Sequence, residues 1–299
     1  MTQAANNSGG LCAGRVVAIT GAGRGIGRAE AIALAQHGAC VVVNNRSAQA
    51  SFDVVDIIRS AGGEAVAHVG DISQMPVAAE LIELALATYG RLDVLLNNAG
   101  IVRDRMLVNL TEDDWDEAIR VNLRGTFTTV SQAAQYWRRM SKAGQPVAAA
   151  IINTTSSAGL FRNPGQANYA AAKAGVTSLT IHAAHELASY GVTANALAPA
   201  AFTDMTAHLI DPRKRDVDGF DPFAVENVAP LAVWLASMEA REVTGRVFEV
   251  KGGRIAVAEG WRIGPEIDIG RQWEAGALAG PIGELLKGAQ QNRDVSGRP

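Results

Sequence analysis

The sequence predicts an α/β protein: a single doubly wound parallel sheet of about seven strands, with helices on both faces. Two observations predict it. Short, near-continuous apolar runs recur along the chain, the pattern of parallel strands buried on both faces. Longer segments with helical periodicity lie between them, so strand and helix alternate from Arg15 onward.

The elements follow in order. The first strand, 16–20, runs into the turn Thr20-Gly21-Ala22-Gly23-Arg24-Gly25-Ile26-Gly27 and a helix over 26–37. The second, 40–44, leads to Asn45, Arg46 and a helix over 49–61. The third, 65–69, is followed by Asp71, Ile72 and a helix over 77–89. The fourth, 93–97, ends in Asn97-Asn98-Ala99-Gly100. A long helix over 112–139 opens with Thr111 as N-cap and Asp114 in its first turn, and it contains Asn122. The fifth strand, 148–153, precedes Ser156 and a helix over 169–189 that carries Tyr169 and Lys173. The sixth, 193–197, leads past Pro199 and Thr203 to a helix over 225–237 and a last strand at 247–250.

No repeat and no Pro/Gly linker divides this stretch, so it reads as one domain over 14–255, after a flexible N-terminus over 1–13. A C-terminal extension over 256–299 follows. Its Trp261 and Trp273 are costly to expose, which favours an ordered extension packed across the site or on a neighbouring subunit; an untidy surface tail is the plain alternative.

Composition narrows the function classes. Of 299 residues, 48% are hydrophobic and 19% charged, which is globular rather than disordered. The net charge of -3 and the absence of a basic stripe argue against nucleic acid as the main partner. The two cysteines, Cys12 and Cys40, form no CxxC pair, which suits a reducing compartment. His182 and His185 share a helical face, but no metal-binding pattern surrounds them, and no metal is expected. The polar start lacks a signal peptide's apolar core, and no apolar run approaches the roughly 18 residues of a membrane span. A cytoplasmic protein without a membrane partner is expected.

The glycine-rich turn points to a cofactor. It follows an apolar strand and opens a helix, where glycines let backbone approach a pyrophosphate and the helix N-terminus favours the anion. Gly21, Arg24, Gly25, Ile26 and Gly27 are the expected contacts. An NAD site usually carries an acid after the second strand for the ribose 2′-hydroxyl, but Asn45 and Arg46 stand there. Arg46 and Arg24 suit a 2′-phosphate, which favours NADP over NAD; a solvated surface arginine is the plain alternative for Arg46. Asp71 is placed to meet the adenine end.

The chemistry gathers at the other end. Tyr169 and Lys173 stand one helical turn apart on one face. An ammonium beside a phenol lowers its pKa from near 10, so the phenol can exchange a proton while hydride moves to or from a nicotinamide. Ser156, just past a strand's carboxyl end, faces the crevice and can bind a carbonyl oxygen. Each feature alone is weak: a surface pair, a loop serine, a polar helix residue.

Together, TGAGRGIG (20–27), Asp71, NNAG (97–100), Asn122, Ser156, Tyr169-x-x-x-Lys173 and Pro199 resemble the short-chain dehydrogenase/reductase family. The resemblance implies a Rossmann sheet, an NAD(P) cofactor and a catalytic tetrad of Asn122, Ser156, Tyr169 and Lys173. It also implies that Lys173 holds the nicotinamide ribose, that Asn122 holds a relay water, and that Ile72, Asn98, Ala99, Gly100, Pro199 and Thr203 flank the cofactor. A homo-oligomer, dimer or tetramer, is expected on the same ground. RDRML (103–107), GQANYAAAKAG (165–175), APLAVWL (229–235) and RVFEVKGG (246–253) are similar to the (3R)-hydroxyacyl-CoA dehydrogenase branch. That branch usually carries Asp where Asn45 stands, and the usual Pro-Gly is here Pro199-Ala200.

The implied activity interconverts a secondary alcohol and a ketone, at the 3-position of an acyl thioester. The alternatives are a hydroxysteroid or other apolar alcohol as substrate, and a non-catalytic dinucleotide sensor. Met106, Leu160, Phe161, Phe202, Met205 and Leu209 in the substrate loops suit an apolar substrate body. The run Pro212-Arg213-Lys214-Arg215 reads either as a contact for CoA phosphates or as a solvated lid.

Overall fold

The computed structural model describes residues 9–203, 205–207, 215 and 218–298. Leu209 and Pro212, Arg213 and Lys214 of the basic run lie outside the described residues.

The elements run β1 (Val16–Thr20), α1 (Gly25–Gln36), β2 (Cys40–Asn45), α2 (Ala48–Ser60), β3 (Glu64–Val69), α3 (Met75–Tyr89), β4 (Val94–Asn97) and α4 (Glu112–Ala118). A π-helical segment, Ile119–Arg124, continues α4 into α5 (Gly125–Lys142). Then come β5 (Ala149–Thr154), the single turn α6 (Ser157–Leu160), α7 (Ala167–Glu186), β6 (Val192–Pro199), α8 (Ala229–Ala236), β7 (Val247–Lys251), β8 (Arg254–Ala258) and α9 (Ala279–Gly288).

The sheet order is β3-β2-β1-β4-β5-β6-β7-β8. All neighbours are parallel except β7 and β8, which form an antiparallel hairpin across Gly252 and Gly253. The sheet therefore has eight strands, not about seven. The extra strand is half-exposed along its length, so it lacks the buried apolar run that marked the others. The boundary drawn at residue 255 falls inside this strand.

Side chains alternate across the sheet and build a core on each face. Val17, Ile19, Val41, Val43, Leu96 and Ile152 pack with Leu34, Val54 and Leu235 of α1, α2 and α8. Val16, Ala18, Val42, Leu95 and Ile151 pack with Leu81, Val130, Trp137 and Ala184 of α3, α5 and α7. Cys12, placed by the sequence in a flexible terminus, is buried; its N–H donates to His37 O at 2.9 Å and its thiol to Val233 O.

Candidate active site

The strand order reverses between β1 and β4, and a crevice opens past their carboxyl ends. It holds a cavity of about 340 Å³. Its walls include Gly21, Arg24, Gly25, Ile26, Asn45, Arg46, Asp71, Ile72, Asn98, Ala99, Gly100 and Thr203, all predicted from the sequence. Gly27, Tyr169, Lys173 and Pro199 are not on its wall; Gly27 instead lets the helix approach β4. A Cβ there would stand 2.3 Å from Asn98 Nδ2 and 2.7 Å from Gly21 O. Gly21 has φ +65°, and a Cβ on it would stand 2.6 Å from Ala99 Cα. The cradle thus has its shape only because these positions lack side chains, and α1 presents its N-terminus to it. That is the build of a pyrophosphate site.

At the adenine end, Asn45 Oδ1 accepts from the N–H of Ser47, the residue that caps α2. That bond fixes the amide's orientation. Arg46 lies near enough to help hold the Glu117 carboxyl below its usual range, after the larger effect of a hydrogen bond from Arg120. Asp71 Oδ1 accepts from Ser73 N–H at 3.0 Å, and Asp71 Oδ2 meets the Arg120 guanidinium at 2.6 Å. Burial alone would raise the Asp71 pKa, but hydrogen bonds from Arg120 and Ser73 bring it below the ordinary carboxyl value.

The tetrad lies beyond Gly100. A Cβ on Gly100 would stand 2.7 Å from Asn122 Oδ1 and 3.5 Å from Lys173 Nζ. Asn122 is fully buried in the π-helical segment. Its amide donates to Ile101 O and Ala118 O, and its Oδ1 accepts from Ile101 N–H. Lys173 is buried, and its ammonium donates to Thr154 O at 2.7 Å. Burial lowers its pKa to about 8. Lys173 Nζ stands 5.7 Å from the centre of the Tyr169 ring. The Ser156 hydroxyl lies close enough to the Tyr169 phenol to lower its pKa, and Ser156 Oγ accepts from Ala158 N–H at 3.2 Å.

The lysine was expected to lower the phenol pKa. In the protein alone, burial dominates and pushes Tyr169 up to about 12; the Ser156 hydroxyl lowers it and Asp104 raises it. The ammonium is turned onto the Thr154 carbonyl instead.

Sequence reasoning missed several residues that shape the site. Asn168 Nδ2 donates to Arg103 O and Asp114 O, tying the start of α7 to the loop before α4 and to α4 itself. Gln166 donates to the Asp104 carboxylate at 3.0 Å. Arg120 stands two residues before Asn122, and only that spacing could have drawn attention to it. Phe202 and Met205 line the cavity, while Met106 is exposed. Arg215 stacks on Phe202, 4.0 Å from the ring centre, and pairs with Asp221 at 2.8 Å. The C-terminal extension meets its own chain at Arg162, between Ser156 and Tyr169: Arg162 N–H donates to Arg293 O, and Val295 N–H to Arg162 O, each at 3.2 Å.

Among the described residues no group of His, Cys, Asp and Glu is arranged to hold a metal, and no helix is long and apolar enough to cross a membrane.

Comparison with known proteins matches this architecture. The family model for short chain dehydrogenase matches residues 15–214. Hydroxyacyl-CoA dehydrogenase ChsB1 of Mycobacterium tuberculosis is 43% identical over 293 residues, 95% of this chain and 92% of that protein. The crystal structure of a short chain dehydrogenase from Mycobacterium avium superposes with TM-score 0.87 at 48% identity, covering 95% of this chain and 99% of that one. A gluconate 5-dehydrogenase from Burkholderia cenocepacia, solved with NADP and tartrate, gives TM-score 0.72 at 33% identity over 81% of this chain and 95% of that one. The chain is an oxidoreductase of the short-chain dehydrogenase family.

Proposed function

We propose that the protein interconverts a 3-hydroxyacyl and a 3-ketoacyl thioester, with NADP(H) favoured over NAD(H) as cofactor. The observation that carries the reading is one arrangement: Tyr169, beside the Ser156 hydroxyl and one turn from the buried Lys173, at the end of a glycine-built cradle. The 43% identity to a hydroxyacyl-CoA dehydrogenase supports the acyl thioester, and Phe202 and Met205 give the apolar surface its acyl part needs. Arg24 and Arg46 on the wall, with Asn45 in place of an acid, support the 2′-phosphate.

When bound, the nicotinamide supplies or accepts the hydride. The protein handles the oxygen. Ser156 donates a hydrogen bond to the substrate oxygen and stabilises the charge that develops there. Tyr169 gives its phenolic proton to that oxygen in reduction and takes it back in oxidation. Lys173, held by Thr154 O, places a positive charge beside the phenolate so formed. Asn122, clamped on both sides of its amide by Ile101, keeps the π-helical segment against the Gly100 turn. The protein works as a homo-oligomer.

The test follows absorbance at 340 nm with acetoacetyl-CoA, with NADH and NADPH in parallel. Turnover with NADPH preferred is expected. Turnover confined to steroid alcohols would move the substrate to that class, whose apolar body the same lining accepts. Tyr169→Phe is expected to cut turnover by at least about 10²-fold while cofactor binding persists. Activity above a tenth of the parent value would overturn the role of Tyr169.

A further inference from the structure

The adenine end of the cleft and the tetrad's asparagine are built on one piece of chain. The segment Asp71-Ile72-Ser73 is fastened to the helix carrying Asn122 at three levels. Arg120 NH1 contacts Asp71 Oδ2 at 2.6 Å and Ser73 Oγ at 2.5 Å. One turn on, Gly125 lies so close that a Cβ would stand 2.4 Å from Ile72 Cδ1. Farther along, the Thr128 hydroxyl donates to Ile72 O.

Arg120 is itself held on its far side. Its Nε and NH2 grip both oxygens of Glu117 at 3.1 and 2.9 Å, a bidentate pair that orients the guanidinium plane. The Asp71 side chain keeps 22% of its surface, and the residue lines the cavity. Oδ1 is taken by Ser73 N–H and Oδ2 by Arg120, so the carboxylate is fixed in rotation and one face still meets the cleft.

We propose that Arg120 is the positioning residue of the adenine pocket. It holds Asp71 ionised and aimed at the adenine amino group, with Glu117 as the brace that fixes the guanidinium. Arg120 touches no part of the cofactor itself. Because it belongs to the π-helical segment, adenine-pocket order and the Asn122 turn share one mechanical support. The inference rests on the reading of the cleft as a dinucleotide site.

The experiment compares two ligands by fluorescence titration of the whole protein. NADPH has adenine; reduced nicotinamide mononucleotide lacks it. Arg120→Ala is expected to weaken NADPH about tenfold, the effect of losing one charge-assisted hydrogen bond, and to leave the mononucleotide within about twofold. Arg120→Lys, which keeps the charge but not the fork, is expected to fall between. Asp71→Asn should cost as much as Arg120→Ala, and the double variant no more than either, because both act through one contact. In Arg120→Ala the acid limb of NADPH binding should also move to higher pH, since Asp71 loses the partner that keeps it ionised. Equal losses for both ligands in Arg120→Ala and Arg120→Lys would show a general structural role and overturn the proposal. Additive losses with Asp71→Asn would overturn it as well. Failure of the parent protein to bind either NADPH or NADH would instead sink the dinucleotide reading.

Discussion

Glu30 sits in α1, three residues past the glycine cradle, with no exposed surface and, among the described residues, no hydrogen-bond partner for either carboxyl oxygen. Burial pushes its pKa up to about 8, so the folded protein holds it neutral at pH 7. The folded pKa lies above the unfolded value near 4.5. The folded state therefore binds the proton more tightly, and its stability is full below about pH 4.5 and is lost as pH rises through about 8. Glu30→Met, similar in volume and apolar, should flatten this decline and raise stability at pH 8 by about 1–3 kcal/mol. Urea titrations at pH 5 and pH 8 check it; parallel pH dependence in parent and variant would exclude Glu30 as the source. Nothing in the residue pattern marks Glu30, because its place on α1 reads equally well as a solvated helix position. Tyr169 and Lys173 were legible because their spacing is itself the signal. Their pKa values were not, because desolvation depends on how tightly distant segments close around them.

The strands β4 and β5 are bolted to α5 and α7 by side chains that the sequence shows only as strand-end polar residues. Asn97 Nδ2 donates to Asn153 Oδ1 at 2.9 Å, Thr129 Oγ1 donates to Asn97 Oδ1 at 2.7 Å, and Asn153 Nδ2 donates to Thr180 Oγ1 at 2.9 Å. Thr180 Oγ1 donates to Val176 O at 2.7 Å, so the chain closes with every buried member paired. Through it α7, which carries Tyr169 and Lys173, is registered against the same strands that end at the crevice. Asn153→Leu keeps the volume but orphans Asn97 Nδ2 and the network beyond it. It should cost about 3 kcal/mol, seen as a lower urea midpoint with the slope unchanged. A midpoint within error of the parent's would mean that the network contributes no net stability. Element boundaries were legible to within a few residues wherever an apolar run or a cap marked them: Thr111 and Asp114 do form a reciprocal capping box at α4. The π-helical insertion was not legible, since one extra residue per turn leaves the apolar periodicity of a long helix almost unchanged.

At the scale of the whole molecule, the apolar surface is unevenly distributed. Beyond β7 the chain exposes Ile255, Val257, Trp261 and Ile263 within ten residues; Trp261 is 95% exposed and Ile263 86%. β8 ends the sheet, and among the described residues it has one strand neighbour, so its outer backbone edge stands open beside these side chains. The sequence reading expected the tryptophans to be covered by the site or by a neighbouring subunit. Within the single chain the extension touches the segment holding Arg162 but leaves Trp261 in the open. An open strand edge next to several exposed apolar side chains is what a second copy of the chain would cover. The homo-oligomer proposed above therefore predicts a mass in solution at a multiple of 31.3 kDa. Trp261→Ser combined with Ile263→Ser should shift the weight-average mass toward the single chain at micromolar concentration. Circular dichroism should not change, because neither side chain belongs to the core of one chain. Sedimentation equilibrium reads the first quantity. A parent protein already at 31.3 kDa, or a variant with undiminished mass, would show that this face is not the seam between copies. If the variant does dissociate, Trp261 emission in the parent should lie to the blue of that expected for an exposed indole, and dilution should move it to the red as the copies separate.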